Sequence, residues 1–280
     1  MKTYPNCKIN LGLRVLRKRP DGYHDLDSVF LPIPLCDELE ITPLSDMGQG
    51  PLLFTQDGIT VDCAPDDNIC AKAYRLLQKD FPQIGPVHIH LTKRIPFGAG
   101  LGGGSSDAAF TLRMLSDLFG LQLPASTLRS YATRLGADCA FFVDNVPAHV
   151  TGIGDQLSPL GFNPIEGYML VLAKPDEGVS TREAYGGLQI DPAASLGPTM
   201  DHLVRRPVDQ WRTAVVNDFE STVFPLHPRI AELKALLYRH GALYASMSGS
   251  GATVFALFPK GQALPQTLVD ALGPTLLLSC

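Results

Sequence analysis

A chain of 280 residues is long for one hydrophobic core and short for three, which points to two packed domains. Its 45% hydrophobic and 18% charged residues are those of an ordinary globular protein and exclude a disordered chain. A formal net charge of −5 argues against a broad nucleic-acid surface, which needs a dominant basic face.

The opening, MKTYPNCKINLG, lacks the apolar core of a signal peptide, and no run approaches the roughly 18 apolar residues of a membrane span. Six cysteines form no CxxC pair and read as thiols of a reducing compartment. The expectation is a cytoplasmic protein without membrane or nucleic-acid partners, a monomer or weak homodimer. Residues 4–16 and 27–41 carry short alternating runs on either side of the turn Pro20-Asp21-Gly22, which predicts strands and a hairpin. Over 67–81, Ile69, Ala73, Leu76 and Leu77 recur at helical spacing behind Asp66 or Asp67 as a cap, and VHIHLTKRI follows as a strand. His88 and His90 share a face of that strand, but without a third ligand they read as polar strand positions, not a metal site.

A glycine-rich loop comes next. Ser105 or Ser106 is then placed to cap a helix through Ala109, Leu112, Leu115 and Phe119 that ends at Gly120. A second helix spans 125–135 and stops at Gly136; a strand follows near 147–153. The Pro- and Gly-rich stretch 157–167 is the expected linker, dividing an N-terminal ATP-binding and catalytic domain (1–160) from a C-terminal substrate-binding domain (161–280). Beyond it lie a strand YMLVLA, a polar segment at 187–199 inside a region, 187–210, without a recognisable motif, and a helix over 228–240 closed by Gly241. The runs ALYASMSG and ATVFALF, joined by a Gly-Ser-Gly turn and followed by a short helix and LLLS, predict a small α+β sandwich.

Pro96-Phe97-Gly98-Ala99-Gly100-Leu101-Gly102-Gly103-Gly104-Ser105-Ser106 places five glycines in seven positions between a strand and a helix. Glycines let backbone N–H groups converge, and the helix start adds unpaired donors and a favourable dipole for an anion. A flexible turn is the bland alternative; a polyphosphate suits this loop better. Gly98, Gly100 and Gly103 satisfy GxGxxG, but the following strand ending in an acid that a dinucleotide fold needs is missing. Gly104 and Ser105 stand where a Walker A loop has Lys then Ser or Thr, and the protein-kinase HRD and DFG motifs are absent. A nucleotide-phosphate site of another type remains.

Residues 96–109, Pro-x-Gly-x-Gly-Leu-Gly-Gly-Gly-Ser-Ser-Asp-Ala-Ala, resemble the ATP loop of the GHMP kinases, the superfamily of galactokinase, homoserine kinase and mevalonate kinase. Lys8-Ile-Asn10-Leu resembles their first motif and Met247-Ser-Gly-Ser-Gly-Ala-Thr-Val-Phe255 their third. Arg19-Pro-Asp-Gly-Tyr-His24 with Leu135-Gly-Ala-Asp138 is similar to the branch whose acceptor is a cytidine-diphosphate-linked methylerythritol, on the non-mevalonate route to isoprenoids. The resemblance implies an α+β, two-domain GHMP kinase fold, a ribosomal-S5-like N-terminal domain with a ferredoxin-like C-terminal domain. It also implies transfer of the ATP γ-phosphoryl to the 2-hydroxyl of that small-molecule substrate.

Residue roles come with it. Alone, Asp138 reads as a loop acid and Lys8 as a solvated strand lysine; by resemblance they are the catalytic pair, Asp138 as base or positioning group oriented by Lys8. Asn10, two residues on, shares the strand face of Lys8 and would bind the acceptor alcohol or phosphate. Tyr23 and His24 alone are a hairpin tip; by resemblance one ring packs on the cytidine and the other reads the base edge. Thr181 and Tyr185 complete the implied substrate site, Tyr185 as a second stacking ring. Pro96, Gly98, Gly100, Leu101, Gly102, Gly103, Gly104, Ser105 and Ser106 would hold ATP, with Lys93 contacting the nucleotide and Asn68 near the adenine. Asp107 is a dipole-complementing acid in this reading. Mg²⁺ accompanies ATP, Ser105 or Ser106 being placed to reach it, and its protein ligands stay unassigned. The rivals are another GHMP kinase, a non-catalytic nucleotide-binding regulator and a dehydrogenase.

Overall fold

The computed structural model describes residues 1–45, 50–61, 63–191 and 197–279. In chain order its strands are β1 (Lys2–Thr3), β2 (Asn6–Lys18), β3 (His24–Cys36), β4 (Glu38–Pro43), β5 (Leu52–Gly58), β6 (Val87–Lys93), β7 (Ala148–Thr151), β8 (Gln156–Pro159), β9 (Tyr168–Ala173), β10 (Tyr244–Met247), β11 (Val254–Pro259) and β12 (Leu276–Ser279). Helices α1 (Ile69–Asp80), α2 (Gly103–Leu118) and α3 (Ala125–Leu135) fall between β5 and β7. Two compact units emerge, Met1–Lys8 with Pro32–Phe97 and Gly102–Val146, and Ile9–Leu31 with Gly98–Leu101 and Pro147–Cys280. They interleave along the chain because β2 and β3 each run through both; a single boundary near residue 160 stays a proposal about how work is divided along the sequence.

The first unit holds a mixed sheet ordered β1-β4-β6-β5, antiparallel except for β5 against β6. Val87, Ile89 and Leu91 of β6 are buried, alternating with partly exposed His88, His90 and Thr92, the period of a strand with one face on a core. Buried Leu39 and Ile41 of β4, Leu77 of α1 and Leu112 and Leu115 of α2 complete that core. The parallel β5–α1–β6 crossover was not anticipated, since no residue of β5 is fully buried and its sequence shows no clean alternation. Helix α1 starts later than expected. Asn68, not Asp66 or Asp67, caps it by accepting from Cys70 N at 2.9 Å, while the two acids lie in the preceding 3-10 turn Pro65–Asp67.

In the second unit β10-β11-β9-β12 form an antiparallel sheet, covered by apolar residues of the helices Pro228–Arg239 and Gln266–Leu272. Val171, Met247, Val254, Ile230, Leu237 and Leu268 share one buried cluster with Leu13 and Val15 of β2. A further sheet runs β2-β3-β7-β8, with Ser28 of β3 opposite Val150 of β7. The expected linker thus begins later than 157: Leu157 pairs with Val150 inside β8, and Pro159 closes that edge strand, where a residue without an N–H is tolerated. Of the polar segment 187–199, residues 192–196 lie outside the described residues. Among the described residues no helix is long and apolar enough to cross a membrane.

Candidate active site

Helix α2 begins at Gly103, and its cap is Gly102 in the left-handed region (φ 68°). Ser105 and Ser106 are therefore residues of the first turn instead of caps; Ser106 N donates to Gly102 O at 3.0 Å. A left-handed residue at the cap costs a side-chained residue about 1–2 kcal/mol, which is why glycine serves here. Gly103 has a second constraint: a methyl there would come within 2.7 Å of Ile95 Cγ2, so the helix start packs directly on the end of the preceding segment. The N–H groups ahead of the Ser106–Gly102 bond, those of Gly103, Gly104 and Ser105, have no helical partner and stand ready for an anion.

Lys8 lies against this helix start. Its Cε is 3.1 Å from where a Cβ on Gly102 would sit, and its side chain is 4% exposed. Lys8 Nζ reaches Asp138 Oδ2 at 3.3 Å. Asp138 sits in the 3-10 turn Ala137–Ala140, anchored by buried Cys139, Ala140, Phe141 and Phe142, and its side chain is 32% exposed. A buried cation thus holds a carboxylate that still opens to solvent.

Lys93, expected to contact the nucleotide, is engaged within the protein. Its ammonium, 3% exposed, is held between Asp37 and Asp107, the latter at 2.9 Å. Asp37 also accepts from the backbone N–H groups of Arg94 (2.6 Å) and Ile95 (2.8 Å), fixing the chain where it enters the loop. Burial, opposed by Lys93 and aided by Asp37, raises the Asp107 carboxyl to about 7. Asp107 is consequently a tie between α2 and β6 and not a surface acid complementing the dipole. Its Oδ1 and the hydroxyl of neighbouring Ser106 are buried without hydrogen-bond partners. Asn68, expected near the adenine, is 5% exposed, and its side-chain oxygen is taken by the α1 cap.

The second unit holds the other part of the loop. Gly98 and Gly100 have φ of 61° and 73°, and a Cβ on Gly100 would overlap the Ser248 carbonyl oxygen. Ser248 Oγ donates to Gly100 O (2.8 Å), and Thr253 N donates to Ala99 O (3.3 Å), so the turn after β10 forms the bed of segment Gly98–Leu101. Asn217 Nδ2 braces that turn by donating to Met247 O (2.7 Å) and Gly249 O (2.8 Å). Asn10 N donates to Ser248 Oγ (3.2 Å) and Asn10 Nδ2 to Ser28 Oγ (3.1 Å), which in turn donates to Gly12 O at 2.6 Å. Ser28, Asn217 and Asp37 escaped the sequence reading because each acts through partners remote in the chain; Ser248 was visible only as part of a motif. Gly100→Ala is expected to weaken ATP binding at least tenfold, about 1.4 kcal/mol, whereas Gly98→Ala, where a Cβ meets nothing within 4 Å, costs only the left-handed strain. Nucleotide titration of both variants checks the order; equal losses would refute the packing argument.

Tyr185 stacks on His24, ring centroids 4.5 Å apart at 19°, and meets Phe219 edge-on at 4.7 Å. Two residues named separately from sequence thus share one aromatic wall. Burial and the charge of Lys18 lower the pKa of His24, favouring the neutral ring that can both donate and accept. Tyr23 is 60% exposed, and exposed Thr181 opens a short helix, Thr181–Tyr185, whose Ala184 is buried and which is capped by Ser180 Oγ accepting from Glu183 N (3.1 Å). His88 Nε2 and His90 Nδ1 both meet the Thr55 hydroxyl, at 2.7 and 2.8 Å. Among the described residues no three His, Cys, Asp or Glu side chains gather as metal ligands.

The family model described as GHMP kinases N terminal domain matches residues 68–152, and that described as GHMP kinases C terminal matches residues 202–271. The 4-diphosphocytidyl-2-C-methyl-D-erythritol kinase of Bacteroides fragilis (strain YCH46) is 52% identical over 272 residues, 97% of each chain. That of Nitratidesulfovibrio vulgaris (strain DP4) is 40% identical, over 91% of this chain and 88% of its own. A crystal structure of 4-(cytidine 5'-diphospho)-2C-methyl-D-erythritol kinase superposes with a TM-score of 0.81 at 31% identity, covering 99% of this chain and 96% of that one. The mevalonate kinase of Methanococcus jannaschii gives a TM-score of 0.73 at 13% identity, covering 98% and 95%, a likeness of fold alone.

Proposed function

The chain belongs to the GHMP kinases, in their 4-diphosphocytidyl-2-C-methyl-D-erythritol kinase family and with their two-domain fold, and we propose that it moves the γ-phosphoryl of ATP onto the 2-hydroxyl of 4-diphosphocytidyl-2-C-methyl-D-erythritol. The observation that carries this reading is the Lys8–Asp138 pair, 3.3 Å apart and packed at the start of α2. Phosphoryl transfer needs the acceptor oxygen positioned, the developing phosphate charge met, and a place for the hydroxyl proton. In this reading Asp138 accepts or orients the proton, Lys8 holds it in place, and the loop with the first turn of α2 receives the triphosphate.

Pro96, Gly98, Gly100, Leu101, Gly102, Gly103, Gly104, Ser105 and Ser106 serve the donor; Asn10, Tyr23, His24, Thr181 and Tyr185 serve the acceptor. The stacked His24–Tyr185 pair supports a base-binding wall, since a neutral imidazole both donates and accepts. Mg²⁺ fits the residues present: it brings ligands of its own from phosphate and water, and the partnerless Ser106 hydroxyl lies at the helix start that would receive them. When bound at the helix start, with the Ser105 or Ser106 hydroxyl to hold it, it would supply positive charge to offset that of the triphosphate. The rest of the proposal is a cytoplasmic monomer or weak homodimer without nucleic-acid or membrane partners, residues 1–160 forming an ATP-binding and catalytic domain that also lends Asn10, Tyr23 and His24 to the acceptor, and 161–280 a substrate-binding domain.

Offering ATP with the cytidylylated methylerythritol, mevalonate, homoserine and galactose in turn tests the assignment. Turnover of the first alone is expected; turnover of another would move the chain to a different acceptor class, and none at all would leave a nucleotide-binding regulator.

A further inference from the structure

The segment bearing Thr181 and Tyr185 is tied to the helix Glu220–Leu226 and its flanks at three points. Tyr185 packs on Phe219, Thr222 Oγ1 donates to Ala184 O at 2.6 Å, and His227 lies between two carboxylates. His227 Nδ1 is 2.9 Å from Glu177 Oε2 and Nε2 is 3.1 Å from Glu183 Oε1. Ionised carboxylates only accept, so both ring nitrogens must donate, and only the imidazolium carries two N–H groups. The hydrogen bond to Glu177 raises the pKa of His227 above its usual 6.5; burial opposes this and the bond to Glu183 adds to it. Among the described residues neither acid forms an ion pair with a Lys or Arg, and nearby Lys174 turns its ammonium to the main-chain oxygens of Pro175 (2.9 Å) and Glu177 (3.2 Å).

We infer that His227 is a positioning residue for the acceptor, its imidazolium bridging Glu177 and Glu183 so that the Tyr185 ring stays seated against His24. This rests on the proposed reaction only for what the ring pair binds. Because the folded pKa of His227 is raised, the clamp is complete at low pH and is lost as pH rises through that value. His24 faces the same ring with a lowered pKa, so it titrates at the other end of the range and the two events separate.

The test follows the Tyr185 ring protons by NMR in the whole chain between pH 5 and 9, beside steady-state kinetics. Two steps are expected; the upper coincides with His227 and vanishes in His227→Gln, while the lower remains. Acceptor KM is expected to rise about tenfold from pH 6.5 to 9 in the parent, and to be raised already at pH 6.5 in His227→Gln, with ATP KM within about twofold. Glu183→Gln, which keeps the bond to Glu177, lowers the midpoint of the upper step and guards against a variant that folds poorly. A Tyr185 signal indifferent to His227, or a loss in which kcat and both KM values move with the melting temperature, overturns the inference. An upper step in a chain that never phosphorylates the cytidine-diphosphate acceptor would leave the clamp standing and remove the proposed reaction.

Discussion

Asp138→Asn is expected to keep ATP binding within about twofold and to lower kcat by about 10²- to 10⁴-fold, the range for a positioned acid–base group. Asparagine has the shape of the side chain it replaces and can still accept from Lys8 Nζ, now 3.3 Å from the carboxylate. The turn that carries it is fixed by neighbours, since Cys139, Ala140 and Phe142 are buried and Asp138 itself is about a third exposed. What disappears is the negative charge and the proton acceptor. In a loose transition state little proton transfer accompanies the barrier, so a fall near the lower bound would mean positioning and one near the upper bound a base. Near-normal turnover in a steady-state assay with saturating ATP would remove Asp138 from the mechanism. Lys8→Met is expected to act in the same direction with little loss of stability, because Asp138 can turn its charge to water.

Local patterns were legible wherever a short-range rule decided the outcome. Gly136 and Gly241 end their helices where expected, and YMLVLA is the strand β9. The loop was legible as a glycine-rich turn from strand to helix, and family resemblance supplied the Lys8–Asp138 pairing that composition could not. The failures at Asp37 and at the Tyr185–His24 pair share a cause, contacts between residues far apart in sequence. Asp37 opens the run DELEI and reads there as a polar strand residue, yet it is fully buried under Lys93, 56 residues on. Ser105 and Ser106 look like helix caps until the left-handed Gly102 starts the helix earlier. Tyr185 and His24 are 161 positions apart by their numbers, and nothing in either segment announces that the two rings stack.

Lys93→Met is expected to cost about 3–5 kcal/mol, the price of leaving buried carboxylates without their cation. The side chains of Asp37 and Asp107 are 0% and 2% exposed, so neither can reach water as Asp138 can. In a chain of this size the loss corresponds to a melting temperature lower by on the order of 10 °C. The two acids are not equivalent. Asp37 still accepts from Arg94 N and Ile95 N, whereas Asp107 Oδ2 loses its partner while Oδ1 has none. Adding Asp107→Asn to Lys93→Met should therefore recover part of the loss, and adding Asp37→Asn less. The pH dependence has a definite sign: the folded pKa of Asp107 is already raised, to about 7, above the unfolded value near 3.9, so its folded state binds the extra proton and stability falls as pH climbs through that window. Removing Lys93 pushes the folded value higher still. Urea and thermal melts of Lys93→Met at pH 5.5 and pH 8 should differ, with the deficit larger at pH 8. A deficit independent of pH and untouched by Asp107→Asn would mean that the cluster is not an ion pair holding α2 to β6, and that Lys93 is available to the nucleotide after all.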